Sequence, residues 1–159
     1  MKKIFLVPVA LLGLLIGFFA ASEAHAQDAI YPEYKDAIMT GLANVDLTSG
    51  NVKAVLVDTG TYTYSAAHDF LDDLSGTVGT AVALTSPTVS AGTFDSADVT
   101  WTSVSGNTAE AIVLYYDTGT PATSRLVLYL DQTNQTGLPV TPNSGDITYT
   151  VDAAGWFTM

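Results

Sequence analysis

The sequence contains no cysteine. That absence excludes a disulfide framework, thiolate-bound zinc or iron–sulfur centres, and a cysteine nucleophile. Basic side chains are also scarce, with 5 Lys and Arg against 16 Asp and Glu and a formal net charge of −11. A nucleic-acid surface needs clustered Lys and Arg to neutralise phosphates, so neither DNA nor RNA is an expected partner. There are only 2 histidines, His25 and His68. A zinc site centred on His68 would lack further nitrogen donors, and no G-x-S-x-G motif nominates a serine for it to activate. His68 therefore reads as a turn or surface residue. At 159 residues the chain fits one domain by the usual range of roughly 100–200 residues. A domain of that size buries a sufficient core without covalent staples.

What is present begins with a three-part leader. Lys2 and Lys3 precede an almost uninterrupted apolar run, Ile4 to Ala20, and Ala24-His25-Ala26 places small residues at the positions a signal peptidase reads. The pattern predicts a secretory signal peptide over residues 1–26 and a mature chain beginning at Gln27. The competing reading is a retained anchor, but Pro8, Gly13 and Gly17 interrupt a run already at the lower limit for a spanning helix. No stable membrane anchor is expected after cleavage, and the destination is extracellular or the cell surface. Removing Lys2, Lys3 and Glu23 leaves 3 basic and 15 acidic groups, a net charge of −12. Such a chain repels its own copies, so assembly should respond to salt or divalent cations.

Residues 27–159 read as a single all-β domain, an antiparallel β-sandwich or jelly-roll-like fold with two short helices. The first helical segment, 30–42, spaces Ile30, Tyr34 and Ile38 by fours, with Pro32 at its start and Gly41 at its end. Its stripe can dock on the parent domain or on a neighbour. The second places Ala67, Phe70, Leu71 and Leu74 at helical spacing before Gly76. Strands are expected over 51–58, 78–85, 99–104, 109–116, 125–131 and 147–151, where Val, Thr, Tyr and Ile dominate. The continuous apolar stretches in 109–116 and 125–131 imply either central strands covered on both faces or an apolar outer face used in assembly. Residues 132–146 read as a loop, with Asn134-Gln135-Thr136 matching a glycosylation acceptor inside it.

Two motifs invite a catalytic reading. Asp58-Thr59-Gly60-Thr61 and Asp117-Thr118-Gly119-Thr120 each follow an apolar strand, as in aspartic proteases, whose chemistry needs two carboxyls sharing one proton. The interval between them is shorter than a protease lobe, and no later apolar-Gly segment supports a single-lobed site. Both read instead as strands entering tight turns. No enzyme, and no cofactor, is expected. Structural calcium is an alternative, from Asp69, Asp72 and Asp73 within the second helix and Asp95 and Asp98 near a strand start, although the spacing is not an EF-hand loop.

Aromatic residues make the stronger interaction signal. Tyr115 and Tyr116 are adjacent on a strand and must face opposite ways, so one of them is available to a neighbour. With Ile30, Tyr31, Tyr34 and Ile38 they form the candidate assembly set. Trp101 and Trp156 offer the alternative of a secreted glycan- or ligand-binding module.

The blocks YPEYKDAIMTG, VKAVLVDTGTYTYSAAHDFLDDL, FDSADVTWTSVSGNTAEAIVLYYDTGT, SRLVLYLD and TGLPVTPNSGDITYTV together resemble a family of small tailed-bacteriophage virion proteins. The resemblance covers nearly the whole mature chain and implies a non-enzymatic particle component at the head surface, with no catalytic residues to carry over. The leader departs from that family, whose members assemble in the cytoplasm. The combination points to a phage-type β domain used as an exported, self-assembling homo-oligomer or polymer. A virion accessory protein is the runner-up.

Overall fold

The computed structural model describes residues 28–131 and 135–159; the expected leader, residues 1–26, and Asn134 of the expected acceptor sequence lie outside them. In chain order the elements are β1 (Ala29–Ile30), α1 (Pro32–Met39), β2 (Val52–Val57), β3 (Thr77–Ala83), β4 (Thr88–Ser90), β5 (Thr93–Asp95), β6 (Val99–Trp101), β7 (Ala111–Tyr116), β8 (Arg125–Asp131), β9 (Ile147–Tyr149) and β10 (Phe157–Thr158). Among the described residues the protein is mostly antiparallel β with one short helix. Its strands form three sheets, ordered β1-β8-β7-β2-β3, β10-β5-β4 and β6-β9. Among the described residues no helix is long and apolar enough to cross a membrane.

The centre of the large sheet is where the apolar runs are longest. Every residue from Ala111 to Tyr115 and from Leu126 to Asp131 is buried, so β7 and β8 are covered on both faces, the first of the two arrangements their composition allowed. Cross-strand partners share a face. Ala54, Leu114 and Leu128 therefore lie on one side with Ile30, while Val55, Val113 and Tyr129 lie on the other. On the first side Leu128, Leu130 and Trp156 line one cavity. On the second, the Tyr129 ring packs against Tyr62 and Tyr64, with centroids 6.2 and 5.2 Å away. Trp101 ties β6 to the large sheet by donating its indole N–H to the Ala54 carbonyl at 3.2 Å.

The expected second helix is not there. Only a single 3-10 turn, Leu71–Asp73, forms, and Phe70 before it is extended, with φ −126° and ψ 166°. The competing structure is the free edge of β8. Leu71 N–H donates to the Ser124 carbonyl at 2.8 Å, and Leu126 N–H donates to the Asp69 carbonyl at 2.9 Å. Those backbone groups pair with a strand rather than with each other, which overrides the helical spacing of Phe70, Leu71 and Leu74. Asp69 consequently has no helix dipole to cap.

The first helix is real but shorter than 30–42, because Ile30 belongs to β1. Pro32 stands in its first turn with its φ already helical, and Glu33 complements the positive end of the helix. At the other end the Thr40 hydroxyl donates to the Asp36 carbonyl at 2.6 Å, and Gly41 adopts φ +68° to leave the helix. Tyr34 and Ala37 are buried and Ile38 is half-buried. The stripe docks on the chain's own domain.

Candidate assembly surface

The N-terminal segment enters the fold at an edge. Ala29 and Ile30 pair with Tyr129 and Leu128, and Tyr31 N–H donates to the Val127 carbonyl at 3.0 Å. One residue earlier, the Asp28 carboxylate accepts from Asp131 N–H at 2.8 Å. Together with the Asp69–Leu71 segment, these residues close the outer edge of β8 from end to end, leaving no row of unpaired backbone groups there.

Tyr31 is the anchor of this segment. Its side chain is fully buried, and its hydroxyl lies 2.9 Å from that of Tyr62, which in turn lies 2.8 Å from His68 Nδ1. The Tyr31 ring meets Tyr64 at 5.2 Å. Burial pushes the Tyr31 hydroxyl far above its ordinary titration range, and Tyr62 is raised for the same first reason. These phenols stay protonated and act as hydrogen-bonding core residues. Tyr34 is equally buried and donates to the Val45 carbonyl at 2.9 Å.

The candidate assembly residues thus divide. Tyr31 and Tyr34 belong to the chain's own core, Ile30 and Ile38 are half-buried beside it, and Tyr115 is buried on β7. Tyr116, the last residue of β7, is the half-buried member of its pair, and its hydroxyl accepts from Asn51 Nδ2 at 3.1 Å. The six do not form one exposed patch. Four of them instead belong to a single β1–α1 unit that plugs the domain.

Both D-T-G-T motifs are turns at strand ends. The Asp58 carboxylate accepts from Gly60 N–H at 2.8 Å, from Thr61 Oγ1 at 3.1 Å and from Asn107 Nδ2 at 2.7 Å. Asp117 accepts from Gly119 N–H at 3.0 Å and forms an ion pair with Lys53. The two carboxylates make no contact with one another, because β2 and β7 run antiparallel and each aspartate ends a different strand.

The acidic residues considered for calcium are engaged separately. Asp73 accepts from Asp69 N–H at 3.0 Å, Asp95 from Ser96 N–H at 2.8 Å and Asp98 from Val151 N–H at 3.0 Å. Among the described residues no three metal-binding side chains converge. Both tryptophans are core residues, at 1% and 7% exposure. The Trp156 indole N–H donates to Ser96 Oγ at 2.8 Å and its ring stacks on Tyr149 at 5.3 Å. Neither indole presents an open face on which a sugar could stack.

Sequence reading passed over one surface entirely. Tyr34, Ile38, Leu47, Phe94 and Phe157 line an apolar groove of about 300 Å³, with Val89 and Met159 beside them. The β4–β5 hairpin beside it turns at Ala91-Gly92, where both φ angles are positive, at 50° and 81°.

No family model matches the chain, and no curated protein matches it.

Proposed function

We propose that this chain is a non-enzymatic exported structural protein, a subunit that self-assembles at the cell surface or outside it into a filament or layer. Its domain is a phage-virion-type β-sandwich or jelly roll, and its N-terminal segment is the part that couples neighbours. The observation that carries this reading is the position of β1. Two paired residues and the Tyr31 side chain close the β8 edge, and the same ladder is completed equally well by the corresponding segment of another copy. The link from Thr40 to Asn51 gives that segment a reach of roughly 3.3 Å per residue when extended. Strand exchange keeps the pairing of β1 with β8 and the burial of Tyr31 and gives up only contacts to the link itself, such as Tyr34 to the Val45 carbonyl, while joining two subunits.

Export rests on the leader, and the strongly acidic composition suits a subunit that stays dispersed until a specific contact forms. Electron microscopy of the native extracellular fraction, with intact mass measurement of the chain, tests both. Regular polymers of a chain beginning at Gln27 are expected. An unprocessed chain copurifying with capsids would favour the head-surface accessory role that the virion-family resemblance implies. A processed chain that remains monomeric would overturn assembly.

A further inference from the structure

From Leu74 to Phe94 the sequence has no charged residue, although Asp73 and Asp95 bracket the stretch in a chain of net charge −11. This stretch supplies the outer strands of two sheets, β3 and β4. The edge of β3 is blunted. Its ladder with β2 shifts register between Ala54 and Leu56, and Gly79 there takes φ +71° with Val104 packed against it. The edge of β4 has no such device beyond Pro87. Thr88, Val89 and Ser90 are all exposed.

The geometry of β4 is that of an open template. A two-residue turn makes Ser90–Thr93 and Thr88–Asp95 the pairs that exchange backbone hydrogen bonds, so the Val89 N–H and C=O point away from β5. The same alternation turns the Phe94 carbonyl the other way, where it accepts from Trp156 N–H at 2.8 Å. The Val89 side chain shares a face with Phe94 and Phe157 and borders the apolar groove. Val89 and Met159 are 54% and 55% exposed there. Asp46 is the one fully charged side chain in the groove lining, and its carboxylate accepts from the backbone and hydroxyl of Thr48.

We propose that β4 and this groove form a contact between two copies of the chain. The β4 strands pair antiparallel about a two-fold axis at Val89, merging two three-stranded sheets into one of six strands and covering Val89 and Met159 of both copies. The partner is a second copy because of charge. Two strongly acidic molecules approach most readily where they carry least charge, and a two-fold axis brings the uncharged strand together from both sides, with Asp46 of each copy the charged side chain in the groove lining, held to Thr48. This contact stands independently of strand exchange at β8. Where both operate, pairing at β4 joins subunits back to back and exchange at β8 continues the chain.

The test uses the purified chain, which lacks cysteine and therefore gives no background. Pairing centred on Val89 puts it opposite its symmetry mate, with Cα atoms about 5.5 Å apart, inside the range of a disulfide. Val89→Cys is expected to form a reducible dimer under mild oxidation, whereas Thr120→Cys, exposed in the β7–β8 connection, is not. Sedimentation should show wild-type dimers that strengthen with salt as acidic repulsion is screened. Val89→Lys should weaken them by about tenfold or more, with an unchanged circular dichroism spectrum. A wild-type chain that is monomeric at all concentrations and salts, equal crosslinking of the two cysteine variants, or undiminished dimers of Val89→Lys would overturn the proposal. Polymers that persist in Val89→Lys would overturn this contact while leaving exchange at β8 standing.

Discussion

Asp58 and Asp117 begin identical tetrapeptides yet stand at opposite ends of the β2–β7 ladder. Asp58 follows Val57, which pairs with Ala111, and Asp117 follows Tyr116, which pairs with Val52. Strands of six residues at about 3.3 Å each hold the two carboxylates roughly 20 Å apart. They cannot share a proton, and each serves its own turn. Asp58→Asn and Asp117→Asn should each lower the urea midpoint, and the double variant's shift should equal the sum of the two. A shift far from additive would mean that the carboxylates communicate.

The same two residues set a pH dependence. Hydrogen bonds led by Asn107 Nδ2 hold Asp58 below its ordinary carboxylate value, and the Lys53 ammonium does the same for Asp117. A depressed folded pKa contributes stability that is fully present above the unfolded value, near 3.8, and is lost as pH falls through the folded value. Asp69, raised by burial and then by Asp73, acts in the opposite sense. Asp117→Asn should therefore cost more at pH 7 than at pH 2. The exposed part of the Lys53 pair limits the difference to about 1 kcal/mol, measurable by urea titration at each pH.

Tyr31 separates packing from hydrogen bonding. Tyr31→Phe removes only the contact with the Tyr62 hydroxyl, which keeps His68, and should cost about 1 kcal/mol. Tyr31→Ala removes the ring from a fully buried site and should cost about 3–5 kcal/mol. Equal losses in the two variants would show that the ring is not the anchor of the N-terminal segment.

The burial of Trp101 and Trp156 has an optical consequence. Emission from the folded chain should lie to the blue and resist iodide quenching, and both properties should change together in the urea transition. Efficient quenching under native conditions would place an indole at the surface and reopen the sugar-binding reading.

What the sequence disclosed follows the length of each element. β2, β7 and β8 announce themselves through runs such as VKAVLV and RLVLYLD, because burial on both faces calls for near-continuous apolar stretches. β1 and β10 are two residues long, and β4 and β5 are three, too short for any period to register. The helix expected around Phe70 had the right spacing, but spacing carries no information about a distant strand with an open edge. The Tyr31–Tyr62–His68 cluster was invisible for a related reason: Tyr31 reaches Tyr62 and His68, 31 or more residues away, only because β1 pairs with β8. The β4 edge could have been read from the uncharged interval between Asp73 and Asp95, a signal in what is missing rather than in a pattern.

The closure of β8 also imposes an order of events. The Asp131 to Asp28 hydrogen bond joins residues 103 positions apart, so β1, the first strand among the described residues, waits for almost all of the other described strands before its partner exists. Contacts of such long range bear a large loop-closure entropy and come late in folding. Throughout that wait the outer side of β8 is the last unsealed seam. Weakening β1 should therefore speed unfolding more than it slows folding, and under the proposed strand exchange the rate at which the seam closes would set how long each newly made molecule stays receptive to another.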